Sequence, residues 1–158
     1  MKISPASAID AAAVTAIMND VISNSTATFT TVTKTVAQVA QDIEPPQPCL
    51  VVKNAEEVLG YARYFPFRTG PGYAHVAEYS IALTQQAQGT GISQKLLNAL
   101  CNLAREDGKT QLVGAVSGDN EAAIKFHLDN GFKQVGHLPD AGQKWGKSLD
   151  LILMQKRL

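Results

Sequence analysis

Apolar residues recur along this chain with two periods that take turns. Residues 2–6 read as a short strand ended by Pro5. From Asp10 onward, Val14, Ile17, Met18, Val21 and Ile22 fall at helical spacing behind an alanine-rich first turn. Residues 24–31, rich in serine and threonine, keep no period and read as a loop. Val36, Val39, Ala40 and Ile43 mark a second short helix over 35–43, stopped by Pro45, Pro46 and Pro48. Residues 49–53, 58–67 and 73–84 read as three strands with short connections, which makes them antiparallel neighbours. Gly60, inside the second of them, points to a bulge or a close backbone approach. An amphipathic run over 94–107 follows. It carries Leu96, Leu97, Leu100, Leu103 and Ala104 on one side with Ile92 before them, and Gly108 stands where a helix needs a left-handed residue to stop. A strand over 111–117, a helix over 120–130 closed by Gly131, and strands over 132–138 and 147–156 complete the chain. The order β-α-α-β-β-β-α-β-α-β-β predicts an α/β fold: one mixed, mostly antiparallel sheet with helices on both faces.

With 158 residues and no long linker or repeat, a single domain over 1–158 is expected. Lys plus Arg and Asp plus Glu balance at 14 each, which points away from nucleic-acid and membrane-surface partners. No apolar run approaches the roughly 20 residues of a spanning helix. The first residues also lack a signal-peptide apolar region, so a cytoplasmic protein is expected. The two cysteines, Cys49 and Cys101, sit in apolar surroundings and read as packing thiols.

The stretch that carries chemistry joins the third of those strands to the helix after it. Glu78 lies near the start of the strand, which continues through Ile81, Ala82 and Leu83. The polar turn Gln88-Gly89-Thr90-Gly91 then leads into Ile92 and Ser93 at the helix start. Such a turn aims backbone N–H groups and the positive end of a helix dipole at one point, and a phosphate is the natural guest. The spacing matches neither the three-glycine dinucleotide fingerprint nor the nucleotide P-loop. An ordinary tight strand-turn-helix connection is the other reading of these residues alone.

Gln88, Gly91 and Ser93 fall on the positions of the pyrophosphate-binding turn of the GNAT superfamily of N-acetyltransferases, whose pattern is Gln or Arg, two residues, Gly, one residue, then Gly or Ala. The chain as a whole resembles the phosphinothricin and methionine sulfoximine acetyltransferase branch of that superfamily. The matching stretches are Asn24-Ser25-Thr26-Ala27-Thr28-Phe29, Leu59-Gly60-Tyr61-Ala62, Phe67-Arg68, Pro71-Gly72-Tyr73, Asn120 with Ala122-Ala123-Ile124 and His127, Gly131-Phe132, and Gly142-Gln143-Lys144-Trp145-Gly146. The resemblance implies the GNAT fold and an acetyl-CoA-dependent transfer of an acetyl group to the α-amine of a small amino-acid-like substrate. It also implies a homodimer. Acetyl-CoA is the implied co-substrate, with no metal. The implied cofactor contacts run through Ile81, Ala82, Leu83, Gln88, Gly89, Thr90, Gly91, Ile92, Ser93, Asn120 and His127. Peptide or protein N-acetylation, or acyl-CoA binding without turnover, are the alternatives.

Acetyl transfer from a thioester to an amine needs a proton acceptor for the ammonium, donors for the oxyanion, and little help for a thiolate whose thiol has a pKa of about 8.5. Glu78 is the expected base, with a strand-edge carboxylate paired to Arg63 or Arg68 as its alternative. His127 stands where many relatives have a tyrosine acting as acid toward the thiolate; packing under the cofactor is its alternative. Asn120 begins the same helix and is expected to cap it. Arg68 is expected to hold a substrate carboxylate, with Phe29 and Tyr73 as further pocket residues. Ser93, Ala74, Tyr79 and Ser148 depart from the usual residues of the branch, which implies an altered substrate pocket beside a kept cofactor side.

Overall fold

A computed structural model describes all residues, Met1–Leu158. Strands β1 (Lys2–Pro5), β2 (Cys49–Asn54), β3 (Glu57–Pro66), β4 (Val76–Leu83), β5 (Gln111–Ser117), β6 (Lys133–Lys144) and β7 (Lys147–Arg157) form one seven-stranded sheet. Its order is β1-β2-β3-β4-β5-β7-β6. Only β4 and β5 run parallel; every other pair is antiparallel. Helices α1 (Ala11–Asn24) and α2 (Val36–Ile43) cover one face, and α3 (Ile92–Glu106) and α4 (Glu121–Asp129) the other.

Each face has its own core. Val14, Ile17 and Met18 of α1 and Val39 and Ile43 of α2 pack on Val51, Val58 and Tyr61. On the opposite face, Leu96, Leu97, Leu100 and Ala104 of α3 pack on Leu50, Leu59, Tyr64, Ala77 and Tyr79. Leu96, Leu97 and Leu100 are completely buried, each contributing about 1.5–3 kcal/mol of transfer free energy. Gly60 does both things expected of it. The β2–β3 register slips beside it, so Val58 and Tyr61 reach one face although they are three positions apart. A Cβ there would stand 2.8 Å from the Ala82 carbonyl oxygen.

The helix caps follow the sequence signals. Thr35 and Gln38 form a reciprocal capping box at α2, and Asn120 Oδ1 accepts from Ala123 N–H at 3.1 Å. Gly108 and Gly131 take positive φ just beyond α3 and α4. Both cysteines are buried and unpaired, and burial pushes the Cys49 thiol up to about 12, so both serve as packing groups.

Two strand boundaries differ from the sequence reading. The strand expected from residue 73 begins at Val76, because Pro71–Tyr73 forms a 3-10 turn and Lys109 Nζ holds the Ala74 carbonyl at 2.8 Å. The strand expected to stop at 138 continues to Lys144 as β6. Pro139 does not end it, because the ladder slips between Leu138 and Gly142. There the Asp150 carboxylate accepts the Asp140 N–H at 2.9 Å and faces His137 Nε2 at 2.7 Å. At the hairpin tip Lys144, only 2% exposed, donates to the carbonyls of Ile22, Ser25 and Thr28 at 2.6, 2.6 and 2.9 Å. That ammonium closes the C-terminus of α1 and fixes the loop after it.

Candidate active site

β4 and β5 pair only as far as Tyr79 and Gly114. Beyond that point β4 stays with β3 through Leu83, and β5 stays with β7 through Ser117. The two strands therefore part, and residues 80–83 present one edge of backbone N–H and C=O groups with no strand partner. A cleft of about 530 Å³ fills the gap. Ser80, Ile81, Ala82 and Leu83 line one wall, Ala115, Val116 and Ser117 the other, and Asn120, Ala123, Phe126 and His127 of the α4 segment lie along it.

Gln88, Gly89 and Ser93 close one end of this cleft. Gly89 and Gly91 have φ of +73° and +79°, and nothing lies within 4 Å of where a Cβ would stand on either. Gly91 is the N-cap of α3, so the first amides of that helix, which have no acceptor inside it, open beside the cleft. An extended strand edge leading to unpaired helix N–H groups fits a long polar arm that ends in a pyrophosphate. Two residues of this turn point their side chains elsewhere: Thr90 Oγ1 donates to the Ala87 carbonyl at 2.6 Å, and the Ile92 side chain is in the core at 4% exposure, which leaves their backbone amides and the Gly91 cap as what the turn presents. Asn120 both caps α4 and lines the cleft.

His127 is buried beside Tyr79. Its Nδ1 lies 2.6 Å from the Ala123 carbonyl oxygen and must carry the proton there. Nε2 is then the acceptor, and the Tyr79 hydroxyl, 2.7 Å away, donates to it. Burial holds the imidazole below its ordinary pKa of 6.5, against the opposing pull of the Ala123 carbonyl, so the ring is neutral at pH 7. An acid role toward a thiolate requires an N–H facing the cleft, and this ring has none to spare. Burial also pushes the Tyr79 phenol up from its ordinary value. Gly114 makes the pair possible, since a Cβ there would lie 2.5 Å from His127 Nε2.

Glu78 lies on the other face of β4 from Tyr79, opposite Phe65 of β3. Its carboxylate has no hydrogen bond or ion pair, and burial raises its pKa above 4.5. Arg63, offered above as its partner, is engaged with Asp42 at 3.0 Å, and Arg68 stacks over Phe67 at 5.5 Å. Arg68 and Tyr73 are exposed on the β3–β4 connection, and Phe29 packs on Gly142 at the β6–β7 tip. The expected substrate residues Phe29, Arg68, Tyr73 and Glu78 thus do not share one pocket within the chain. Ser80, Ser117 and Phe126, which sequence reasoning left out, do line the cleft, together with Tyr79, read above only as a departure from the branch. The alternation of β4 residues between faces is the signal that places Tyr79 and Glu78 apart.

The description of the acetyltransferase (GNAT) family matches residues 15–132. An L-methionine sulfoximine/L-methionine sulfone acetyltransferase of Pseudomonas aeruginosa is 37% identical over 99% of this chain and 94% of its own length. A phosphinothricin N-acetyltransferase of Alcaligenes faecalis is 33% identical over 94% of this chain and 78% of its own. Among solved structures, a ribosomal-protein-alanine N-acetyltransferase from Brucella melitensis superposes with a TM-score of 0.94 at 34% identity, covering all of both chains. A phosphinothricin acetyltransferase from Sinorhizobium meliloti in complex with AcCoA gives 0.93 at 28% identity, over 99% of this chain and 88% of that one. The parted strands, the glycine turn and these likenesses agree: the chain belongs to the acetyltransferase (GNAT) family.

Proposed function

We propose that this protein transfers an acetyl group from acetyl-CoA to the α-amine of a small amino-acid-like substrate of the methionine sulfoximine, methionine sulfone or phosphinothricin type. The observation that carries this reading is the full-length likeness to the Pseudomonas aeruginosa enzyme, joined to a cleft whose free strand edge leads to the glycine turn. Acetyl-CoA supplies the activated acetyl group as a thioester. The edge of residues 80–83 and the amides at Gly89, Gly91 and the start of α3 bind and orient it. Glu78 takes the proton from the substrate ammonium, directly or through water, helped by the burial that raises its pKa. Neutral His127 and Tyr79 hold each other through the one hydroxyl proton, so neither has a donor to spare for the departing thiolate, which is a tolerable leaving group and takes its proton from solvent. A cytoplasmic setting and a homodimer go with this reading; sedimentation as a 16.9 kDa species at micromolar concentration would count against the dimer.

Thiol release from acetyl-CoA, measured with methionine sulfoximine, methionine sulfone and phosphinothricin, tests the proposal. Stimulation by none of them would sink it. The Brucella melitensis likeness supports a second reading, acetylation of a protein N-terminus. Label transfer to an alanine-started peptide without transfer to free amino acids would favour that reading.

A further inference from the structure

A second cavity, of about 370 Å³, lies on the α1–α2 face of β3 and β4. Val21, Tyr61 and Ser80 line both it and the cleft, so the two spaces meet at Ser80, where β4 parts from β5. Arg63 projects into this cavity, opposite Ser80 in the β3–β4 register. Its guanidinium lies 5.5 Å from the Phe65 ring centroid and bonds Asp42 through one terminal nitrogen. Its Nε is buried without a partner, and the other terminal nitrogen has no protein acceptor. Lys34 adds a second cation, 3.7 Å from the same Asp42 oxygen. Two cations facing one carboxylate leave the cavity with one positive charge in excess. Glu78, the unpaired carboxylate, stands one pleat beyond Ser80 on the same face of β4.

An anion-seeking arginine and a free carboxylate, set along one face and separated by Ser80, complement a zwitterion. We propose that this cavity is the acceptor subsite and that Arg63 determines specificity by receiving the acceptor's carboxylate. The amine then points toward Ser80 and the cleft, within reach of Glu78. Arg68, exposed on its loop and stacked on Phe67, lies outside this cavity. The guanidinium is already fixed by Asp42 and Phe65, so little side-chain entropy is lost when a carboxylate docks. The inference rests on the acetyl-transfer reading but is separable from it.

The test compares each of a panel of α-amino acids, methionine sulfone included, with the amine of the same side chain lacking the carboxylate. Thiol release is read for the wild type, Arg63→Met and Asp42→Asn. The wild type is expected to prefer the acids. Arg63→Met raises KM for the acids by about ten-fold or more, in line with loss of a charge-assisted pair, and leaves KM for the carboxylate-free amines and for acetyl-CoA within two-fold. Asp42→Asn, which frees the guanidinium, lowers KM for the acids. A merely structural Arg63–Asp42 pair would make both variants fail alike on acids and amines, and that result overturns the proposal. So does a wild type that uses the amines as well as the acids while acetyl transfer itself stands. Absence of turnover with any amine overturns the acetyl-transfer reading and this inference with it.

Discussion

Tyr79→Phe separates what the Tyr79–His127 pair does for the fold from what Glu78 does for the chemistry. The substitution keeps the ring, and with it the packing on His127 and Phe132, both with ring centroids 5.7 Å away. Only the hydroxyl is lost. His127 Nε2 then faces a site 5% exposed with no donor, because its other nitrogen is committed to Ala123. Leaving a buried acceptor unsatisfied costs about 1–3 kcal/mol. For a chain of this size each kcal/mol moves Tm by about 2–4 °C, so a fall of about 2–12 °C is expected in a thermal melt. Adding His127→Leu removes both polar partners, and the double variant should lose less than the sum of the two single variants. A Tyr79→Phe protein that melts within half a degree of wild type, about 0.1–0.25 kcal/mol on the same conversion, would refute the hydrogen-bond assignment, and strict additivity would refute the coupling.

Glu78→Gln should lower kcat by about 10²–10⁴ with acetyl-CoA affinity nearly unchanged, the loss shrinking at high pH as more substrate amine is already neutral; a wild-type pH–rate profile would demote Glu78 to a structural carboxylate. The same variant should be no less stable at pH 7. The folded-state pKa of Glu78 is raised, so its contribution to stability is present below pH 4.5 and is lost as pH rises through the folded value. Gly91→Val should raise KM for acetyl-CoA by about ten-fold or more, because a β-branched residue resists φ of +79° at the N-cap of α3; unchanged affinity in a calorimeter would remove Gly91 from the cofactor site. His127 has a depressed folded pKa, so its contribution is complete above pH 6.5 and is lost as pH falls through the folded value. Denaturant midpoints should drop on acidification from pH 6.5, and His127→Gln should flatten that slope.

Element order, both helix-bearing faces and the glycine turn were legible because each rests on local signals: helical spacing over Leu96, Leu97 and Leu100, caps at Thr35 and Asn120, and glycines at positive φ. The bulge at Gly60 was legible for the same reason. What the sequence hid depends on long-range partners. The run of β6 beyond residue 138 was hidden because Asp150, which satisfies the slipped ladder, comes ten residues after Asp140. Phe29 does line a cavity, but one at the β6–β7 tip with Gln143 and Ser148, because Gly142, 113 residues away in sequence (142 − 29), makes room for its ring. Glu78 was identified as an unpaired acid only once Arg63 was seen to be bound to Asp42. Tyr79 stood out as a departure from the branch. That its hydroxyl serves His127 depends on Gly114, the parallel partner of Tyr79, lacking a side chain.

These departures divide along β4. On the proposed reading, the backbone edge of residues 80–83 holds an extended arm through its main chain, whatever side chains it carries. The face that carries Glu78 and Ser80 meets Phe65, Arg63 and Tyr61 of β3 in register, and a change there alters the acceptor space without touching that edge. The far wall of the acceptor space is the loop after α1, whose Thr28 and Thr30 line it. Lys144 holds that loop by its carbonyls, through an ammonium that reaches no carboxylate. A wall fixed by backbone carbonyls keeps its position while its side chains vary, and the facing residues of β3 lie on a strand that is paired on both edges. Acceptor choice can therefore change by single substitutions on two rigid surfaces, with the thioester held by a third element that they do not disturb.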